Sequence, residues 1–389
     1  MLNPKTNERE LAYIVKATEA KELQGYDSVH LVHVFGWQCV TSKDVKEGDL
    51  AVYFEIDSLL PKDDSRFAFM AKRKFIVKTI KICGVISQGL VLPLSEFPEL
   101  KDCKEGDFVT DKLHVEKYDS EPVQESKQKQ KVNSFQRAVS RHKKFFTNPI
   151  VKYLMKYKSV RWILSKIFVH KKDKAKCKWP EWLPKTGSER IQNLPQLLGS
   201  NESYIITEKV DGASTSFILD EKGNYLVGSH NVIKNPEKDS DGGNYFKNNI
   251  WAESGAKYNM EELLKSLKTV HGLKTVAIQG ETYGDKVQKR NYSLHHNKHD
   301  FVVFHIWFDG KRLPIKEMVK ICEDRKLPNV HIYDYNYKIP KSVEEIVDYV
   351  DSCKSAIDGG DIEGFVFYSQ DGQQNFKCVS PNFLLKYHR

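Results

Sequence analysis

The sequence predicts an α+β protein in three parts: a small N-terminal β-barrel over residues 1–115, a basic helical insert over 116–184, and a C-terminal domain of strands and helices over 185–389. Three observations predict it. Segments rich in Val, Ile and aromatic residues crowd the first hundred residues, with glycine-marked turns between them. A polar stretch then gives way to a block dense in lysine, and beyond it extended segments alternate with helical ones. At 389 residues the chain is also long enough for two or three separately cored units.

The barrel rests on residues 12–16, 30–40, 50–56 and 75–94, which read as strands, with turns at Gly36, Gly48 and Asp49, and Gly84. Several short strands within so few residues suit a small closed barrel such as an OB-fold, and periodicity alone does not separate that from an SH3-like barrel. The segment 61–74 is polar and breaks the pattern. From about 115 to 133 the chain is polar without periodicity, as in a linker. The insert follows. Between 127 and 178 stand 14 Lys and 3 Arg against one acid, Asp173, so this block carries +16 and the rest of the chain −7, within a net charge of +9. Such density points to a polyanionic partner, because phosphates release counterions to approaching lysines. Ile150, Leu154, Tyr157, Val160, Leu164 and Phe168 recur at steps of three and four and predict an amphipathic helix inside the block. In the C-terminal part, residues 203–207, 213–219, 225–227, 276–278 and 301–308 read as extended, and 260–268 and 315–325 as helical.

Composition excludes several classes. With 40% hydrophobic and 29% charged residues, the chain is neither disordered nor membrane-embedded in character. No apolar run approaches the ~20 residues of a spanning helix, and the opening residues lack an apolar signal core, so the expected setting is intracellular, cytoplasmic or nuclear. Seven cysteines without a Cys-x-x-Cys pair argue against a disulfide framework and against a zinc site.

The sharpest motif is EKVDG at 208–212, which sets Lys209 between two extended segments on a tight connection. Alone it reads as a β-turn with an exposed lysine. Downstream, in order, come GETYG at 280–284 after an apolar strand, FVVFHI at 301–306, IEGFV at 362–366 and Phe376-Lys377 near the C-terminus. Each is weak, and the order is strong. Over 185–389 this set resembles the covalent nucleotidyltransferases, the superfamily of ATP-dependent RNA and DNA ligases and mRNA-capping guanylyltransferases.

The resemblance implies an ATP-grasp-like ligase domain of antiparallel sheets flanked by helices, and a role for each motif. Lys209 would attack the α-phosphorus of ATP to give lysyl-AMP, which requires a free amine and hence a pKa lowered by burial and nearby cations. Asp211 and Glu363 would hold Mg2+, with Mn2+ as an alternative, through waters because magnesium dehydrates reluctantly. Glu281 would accept hydrogen bonds from the ribose, Phe304 would stack on adenine, and Lys377 would neutralise the α-phosphate during displacement. Glu208 and Gly212, flanking the nucleophile, belong to the same implied nucleotide contacts.

The barrel lies in front, and the chain ends at Arg389, 12 residues after Lys377, leaving no room for the C-terminal OB domain of DNA ligases and capping enzymes. GDLAVYFEIDS at 48–58 and GVISQG at 84–89 resemble the RNA ligases that carry an N-terminal OB domain. So do PKTGSERIQN at 184–193, where Arg190 would help hold the nucleotide, and the 280–292 region with Gln288, Asn291 and Tyr292. Three positions depart from the pattern: His230 where an arginine is usual, His305 where an aspartate is common, and Val379 where a second lysine stands, with Lys386 or Lys234 as substitutes. The implied activity is ATP-dependent joining of RNA 5′-phosphate and 3′-hydroxyl ends through lysyl-AMP and RNA-adenylate, releasing diphosphate and AMP. RNA is the expected partner, with no membrane and no obligate protein partner. The alternatives are a DNA ligase, a capping-type guanylyltransferase, or an inactive RNA-binding relative.

Overall fold

A computed structural model describes residues 1, 3, 9–118, 178–230, 232–234, 249–296 and 298–388. The helix expected in the basic insert falls outside these residues. Met1–Ser120 and Pro180–Arg389 form one compact unit.

Its N-terminal strands are β1 (Ala12–Lys16), β2 (Thr18–Glu22), β3 (Val29–Val34), β4 (Trp37–Ser42), β5 (Leu50–Phe54), β6 (Ser58–Leu59), β7 (Thr79–Ile82), β8 (Val85–Gln88), β9 (Leu90–Pro93) and β10 (Glu116–Lys117). They pair as β1-β5-β9, β2-β3-β4, β7-β8 and β6-β10. Central β5 buries Ala51, Val52, Tyr53 and Phe54 at once, so it reads as a continuous apolar run because both of its faces are covered. Side chains close the barrel where backbone ladders end: Gln38 Nε2 donates to the Ile86 carbonyl and Thr41 Oγ1 to that of Val91. The segment 30–40 is a hairpin rather than one strand, turning at Phe35 with φ 52°. The segment 75–94 holds three strands, with a turn at Cys83 and Gly84 where φ is 53° and 80°. The polar stretch before it is a 3-10 helix, Ser65–Arg73, capped by the Asp64 side chain and anchored by Phe67 and Met70. Because β10 pairs with β6, the barrel reaches residue 117, and the boundary expected at 115 lies just before that pair. At the other expected boundary, Leu183 is buried and the Pro184 carbonyl accepts from Gln279.

The C-terminal part contains β11 (Glu189–Arg190), β12 (Ser203–Lys209), β13 (Ala213–Leu219), β14 (Tyr225–Gly228), β15 (Val276–Gly284), β16 (His299–Phe308), β17 (Lys311–Arg312), β18 (Ile332–Lys338), β19 (Gly364–Ser369) and β20 (Asn375–Val379). Its helices are α1 (Ile250–Lys257), α2 (Met260–Val270), α3 (Ile315–Arg325), α4 (Val343–Ser352) and α5 (Pro381–Tyr387). The strands make two five-stranded sheets, β11-β20-β19-β12-β18 and β14-β13-β15-β16-β17. All pairs are antiparallel except β11 with β20. Helices α1, α2 and α3 cover the second sheet through Trp251, Leu264 and Met318, while α4 covers the first through Ile346 and Val350. The chain leaves the first sheet at Lys209 and enters the second at Ala213, so the connection of three residues, Val210 to Gly212, lies where the two sheets part.

Candidate active site

That crossing faces a cavity of about 230 Å3 between the sheets. Thr207 and Lys209 of β12, Val366 and Tyr368 of β19, and Asn375 and Lys377 of β20 line one wall, each pair two residues apart as strand alternation requires. Ser214, Glu281, Phe304, His305 and His230 line the other. Phe304 and His305 are consecutive yet share the cavity because β16 carries a bulge there: Gln279 pairs with His305 and Gly280 with Val303, leaving Phe304 as the extra residue. Gly280 permits the bulge, since a Cβ at that position would sit 2.1 Å from the Val302 carbonyl oxygen. Gly212 likewise lets the crossing press on β15, where a Cβ would meet the Thr282 oxygen at 2.3 Å.

Lys209 Nζ donates to Glu363 Oε1 at 2.6 Å. Desolvation lowers its pKa, but Glu363, Glu281 and Asp211 outweigh that and hold it above the ordinary lysine value. The protein's own groups therefore do not supply the depressed pKa that attack requires: three carboxylates outweigh the burial of the amine. The depressed lysine is Lys377, brought to about 7 by desolvation and by the charges of Arg190, Lys209 and Arg9. Glu281 moves the other way, to about 8, chiefly by desolvation against which Lys209 pulls. His305 stays well below the usual histidine value through burial and the adjacent Arg312.

Two oxygens in this site stand out. Asp211 Oδ2 and Glu363 Oε2 are buried and make no hydrogen bond among the described residues. Orphaned carboxylate oxygens beside a nucleophile suit a divalent cation. Among the described residues no three His, Cys, Asp or Glu side chains converge on one metal position, so the fit is to an ion held largely by water and phosphate rather than by a protein cage.

Among the expected contacts, Arg190 and Lys386 do not line the cavity, Glu208 lines it with its carboxylate turned away, and Asp211 and Glu363 stand beside the lining residues, Glu363 bonded to Lys209. The Glu208 carboxylate, pointing to the opposite face of β12 from Lys209, accepts from Ser355 Oγ and, at 3.0 Å, from the Ala356 amide. Arg190 lies in register beside Lys377 on β11, but its guanidinium sits 5.5 Å over Trp37 and 3.9 Å from Asp57, both in the barrel, and it is not a lining residue. Lys386 is exposed on α5 and pairs with Asp361 at 2.5 Å, so it does not replace the missing second lysine. His230 does line the cavity, with Nδ1 2.8 Å from Thr186 Oγ1.

Other residues enter that sequence reasoning did not assign. Tyr292 Oη accepts the Asp211 amide at 2.5 Å, and Gln288 Nε2 donates to the Gly212 carbonyl at 3.1 Å, so both hold the crossing. His388 Nε2 lies 3.2 Å from Asp211 Oδ1. The alternation of β19 and β20 could have placed Tyr368 and Asn375, whereas nothing local marks His388 as a neighbour of Asp211.

Comparison with known proteins decides what kind of site this is. Residues 202–388, which hold the Lys209–Gly212 crossing, both carboxylates and Lys377, match the RNA ligase family, and residues 11–94 match an OB-fold domain. Residues 202–388 belong to the RNA ligase family. The barrel in front of this ligase domain is an OB-fold. Solved structures agree over nearly the whole length. Naegleria gruberi RNA ligase with PPi is 24% identical, covering 97% of this chain and 98% of that one, with a TM-score of 0.73. A variant of that ligase with AMP and Mn is 26% identical over 98% and 99% of the chains, also at 0.73. No curated protein matches by sequence. Among the described residues of this ligase chain, no helix is long and apolar enough to cross a membrane.

Proposed function

We infer that the protein is an ATP-dependent RNA ligase that joins a 5′-phosphate to a 3′-hydroxyl. The observation that carries this is the position of Lys209: its amine opens into the inter-sheet cavity, with Glu363, Glu281 and Lys377 around it, on an RNA ligase family domain. The Naegleria gruberi structures hold ATP with Mn, AMP with Mn, or PPi, and these are the substrate, the transferred group and the leaving group of adenylyl transfer. Six described cysteines are free thiols, which suits an intracellular setting.

The residues divide the work as follows. Lys209 attacks only as a free amine, so its ion pair with Glu363 must open first. A divalent ion beside Asp211 and Glu363 supplies positive charge that lowers the lysine pKa and offsets phosphate charge. Lys377, poised near neutrality in the cavity, becomes fully charged opposite a phosphate and stabilises the charge that builds on it during displacement. Phe304 offers an apolar face to the base and Glu281 an acceptor to the ribose. The same Lys209 bond to AMP then breaks as the RNA 5′-phosphate takes the adenylate, and the 3′-hydroxyl of the second end displaces AMP.

Incubation with α-labelled ATP and Mg2+ tests the first step: covalent label is expected on the parent protein and absent from Lys209→Ala. Label retained in that variant, or never formed, sinks the reading. Sealing of nicked RNA but not nicked DNA is then expected, and equal sealing of both would overturn the substrate assignment.

A further inference from the structure

The OB-fold barrel carries a cationic face that the catalytic cavity does not use. Between Ser65 and Ser95 the chain has six Lys or Arg and no Asp or Glu. Arg66 is neutralised by Asp64 and Glu99 at 2.6 and 2.7 Å. The others behave differently. Lys72, Arg73 and Lys74 close the exposed end of the 3-10 helix, and none of them, nor Lys78, makes an ion pair among the described residues. On the same helix Phe67 and Met70 turn inward, while Phe69 is 58% exposed, the most exposed aromatic side chain among the described residues. A solvent-facing phenyl ring amid lysines offers a face on which an unpaired base can stack.

This face leads to the active site. Lys78 lies within electrostatic reach of both Lys74 and Lys289, and desolvation together with Lys289 depresses its pKa. The one acid acting on it, Asp57, already faces Arg9 at 3.4 Å and Arg190 at 3.9 Å. Lys289 follows Gln288, whose amide holds the Gly212 carbonyl, so the positive field runs to within one residue of the catalytic crossing. Strand β7, directly after Lys78, packs against α5, and His388 at the end of α5 reaches Asp211. Lys72, Arg73, Lys74 and Lys78 stand together with no ion pair of their own among the described residues, which is the footprint of a polyanion, and an exposed ring among them adds a stacking platform.

We propose that the face made by Phe69, Lys72, Arg73, Lys74 and Lys78, continued by Lys289, holds the RNA strand as it enters the Lys209 cavity. The lysines and Arg73 contact phosphates without reading sequence, and Phe69 stacks on an unpaired base. This rests on the RNA ligase reading and adds to it a substrate track distinct from the basic insert.

The test uses the full chain and a fluorescein-labelled RNA with a single nick, read by anisotropy at several salt concentrations, beside self-labelling with ATP alone. Replacing Lys72, Arg73, Lys74 and Lys78 by Gln is expected to weaken RNA binding at least about tenfold at low salt. It should also flatten the log–log salt dependence by about 3 to 3.5, at roughly 0.7–0.9 for each of the four phosphates no longer neutralised. Self-labelling should stay within about twofold of the parent. The charge-preserving set Lys72→Arg, Arg73→Lys, Lys74→Arg and Lys78→Arg should bind RNA as the parent does. Phe69→Ala should lose about fivefold or more in affinity with the salt slope unchanged, as base stacking does. Unchanged RNA affinity and slope in the Gln variant would overturn the proposal, as would a parallel loss of self-labelling, which would mean that the face supports the fold. A parent that never self-labels would refute the ligase reading, while the RNA measurements would still decide the track.

Discussion

Lys209 and Lys377 are lysines of one cavity with opposite electrostatics. Three carboxylates hold Lys209 charged, whereas desolvation and neighbouring cations bring Lys377 to about 7. In the proposed reaction the protein's own charges would thus be set against premature attack, since they keep Lys209 protonated. Lys377 also carries a stability cost with a defined sign. Its folded pKa of about 7 lies below the ordinary 10.5, so the unfolded chain binds more protons between those values and stability rises with pH across that window. The penalty is fully present below pH 7. Lys377→Met should therefore raise Tm over the parent at pH 6, with the difference shrinking toward pH 10, while the rate of lysyl-AMP formation falls at least about 100-fold. Thermal melts at both pH values, with a labelling time course, check this. Glu281 has the reverse slope: its folded value of about 8 exceeds the ordinary 4.5, so its contribution declines as pH rises from 4.5 to 8.

Within the elements, parity decides which side chains face the cavity. On β12 the sequence places Glu208 and Lys209 side by side, and the strand sends them to opposite faces. Glu208→Ala removes the acceptor of the Ala356 amide and of Ser355, and should cost about 1–3 kcal/mol of stability with little change in KM for ATP. A large rise in KM at unchanged stability would return Glu208 to the nucleotide. The bulge on β16 does the converse, bringing two successive residues to one cavity. Gly280→Ala drives a methyl into the Val302 carbonyl, so the bulge must open and Phe304 shift. Nucleotide affinity, measured by calorimetry on a Lys209→Ala background, should fall about tenfold or more. Motif spacing led to Lys209, Glu363, Glu281, Phe304 and Lys377, which the fold gathers at or beside the cavity, whereas strand parity turns the Glu208 carboxylate away from it. Proximity in sequence to a catalytic residue says nothing about which face of a strand a side chain occupies.

At the scale of the molecule, the barrel and the ligase domain are joined by a buried polar seam. Trp37 Nε1 donates to Asn193 Oδ1 at 2.6 Å, and Asn193 Nδ2 donates to Glu189 Oε1 at 2.8 Å. The Gly36 amide donates to the Gln192 carbonyl at 2.9 Å, and a Cβ at Gly36 would lie 2.9 Å from the Gln192 Cα, so the tip of the β3–β4 hairpin rests directly on the ligase domain. Fully buried Glu55 gathers Arg9 at 2.5 Å and the terminal ammonium of Met1. Asn193→Leu strands the Trp37 N–H and should cost about 1–3 kcal/mol, splitting one calorimetric transition into two as the barrel and ligase domain uncouple. A single transition at the parent temperature would show that the seam contributes nothing.

By itself the sequence determined the candidate lysine, the order of the motifs behind it and the barrel in front, because each is written locally: a lysine on a turn, apolar strands before it, β-rich segments ahead. Only the tertiary structure decided which motif residues share the cavity. Its walls pair β12 with β19, residues more than 150 positions apart, and its far wall depends on one bulge. The structure also brought Tyr292, Gln288 and His388 to Asp211 and Gly212, turned Arg190 toward Trp37, and left Lys209 charged. Charge state and face are set by neighbours that folding supplies, and no spacing along the chain encodes them.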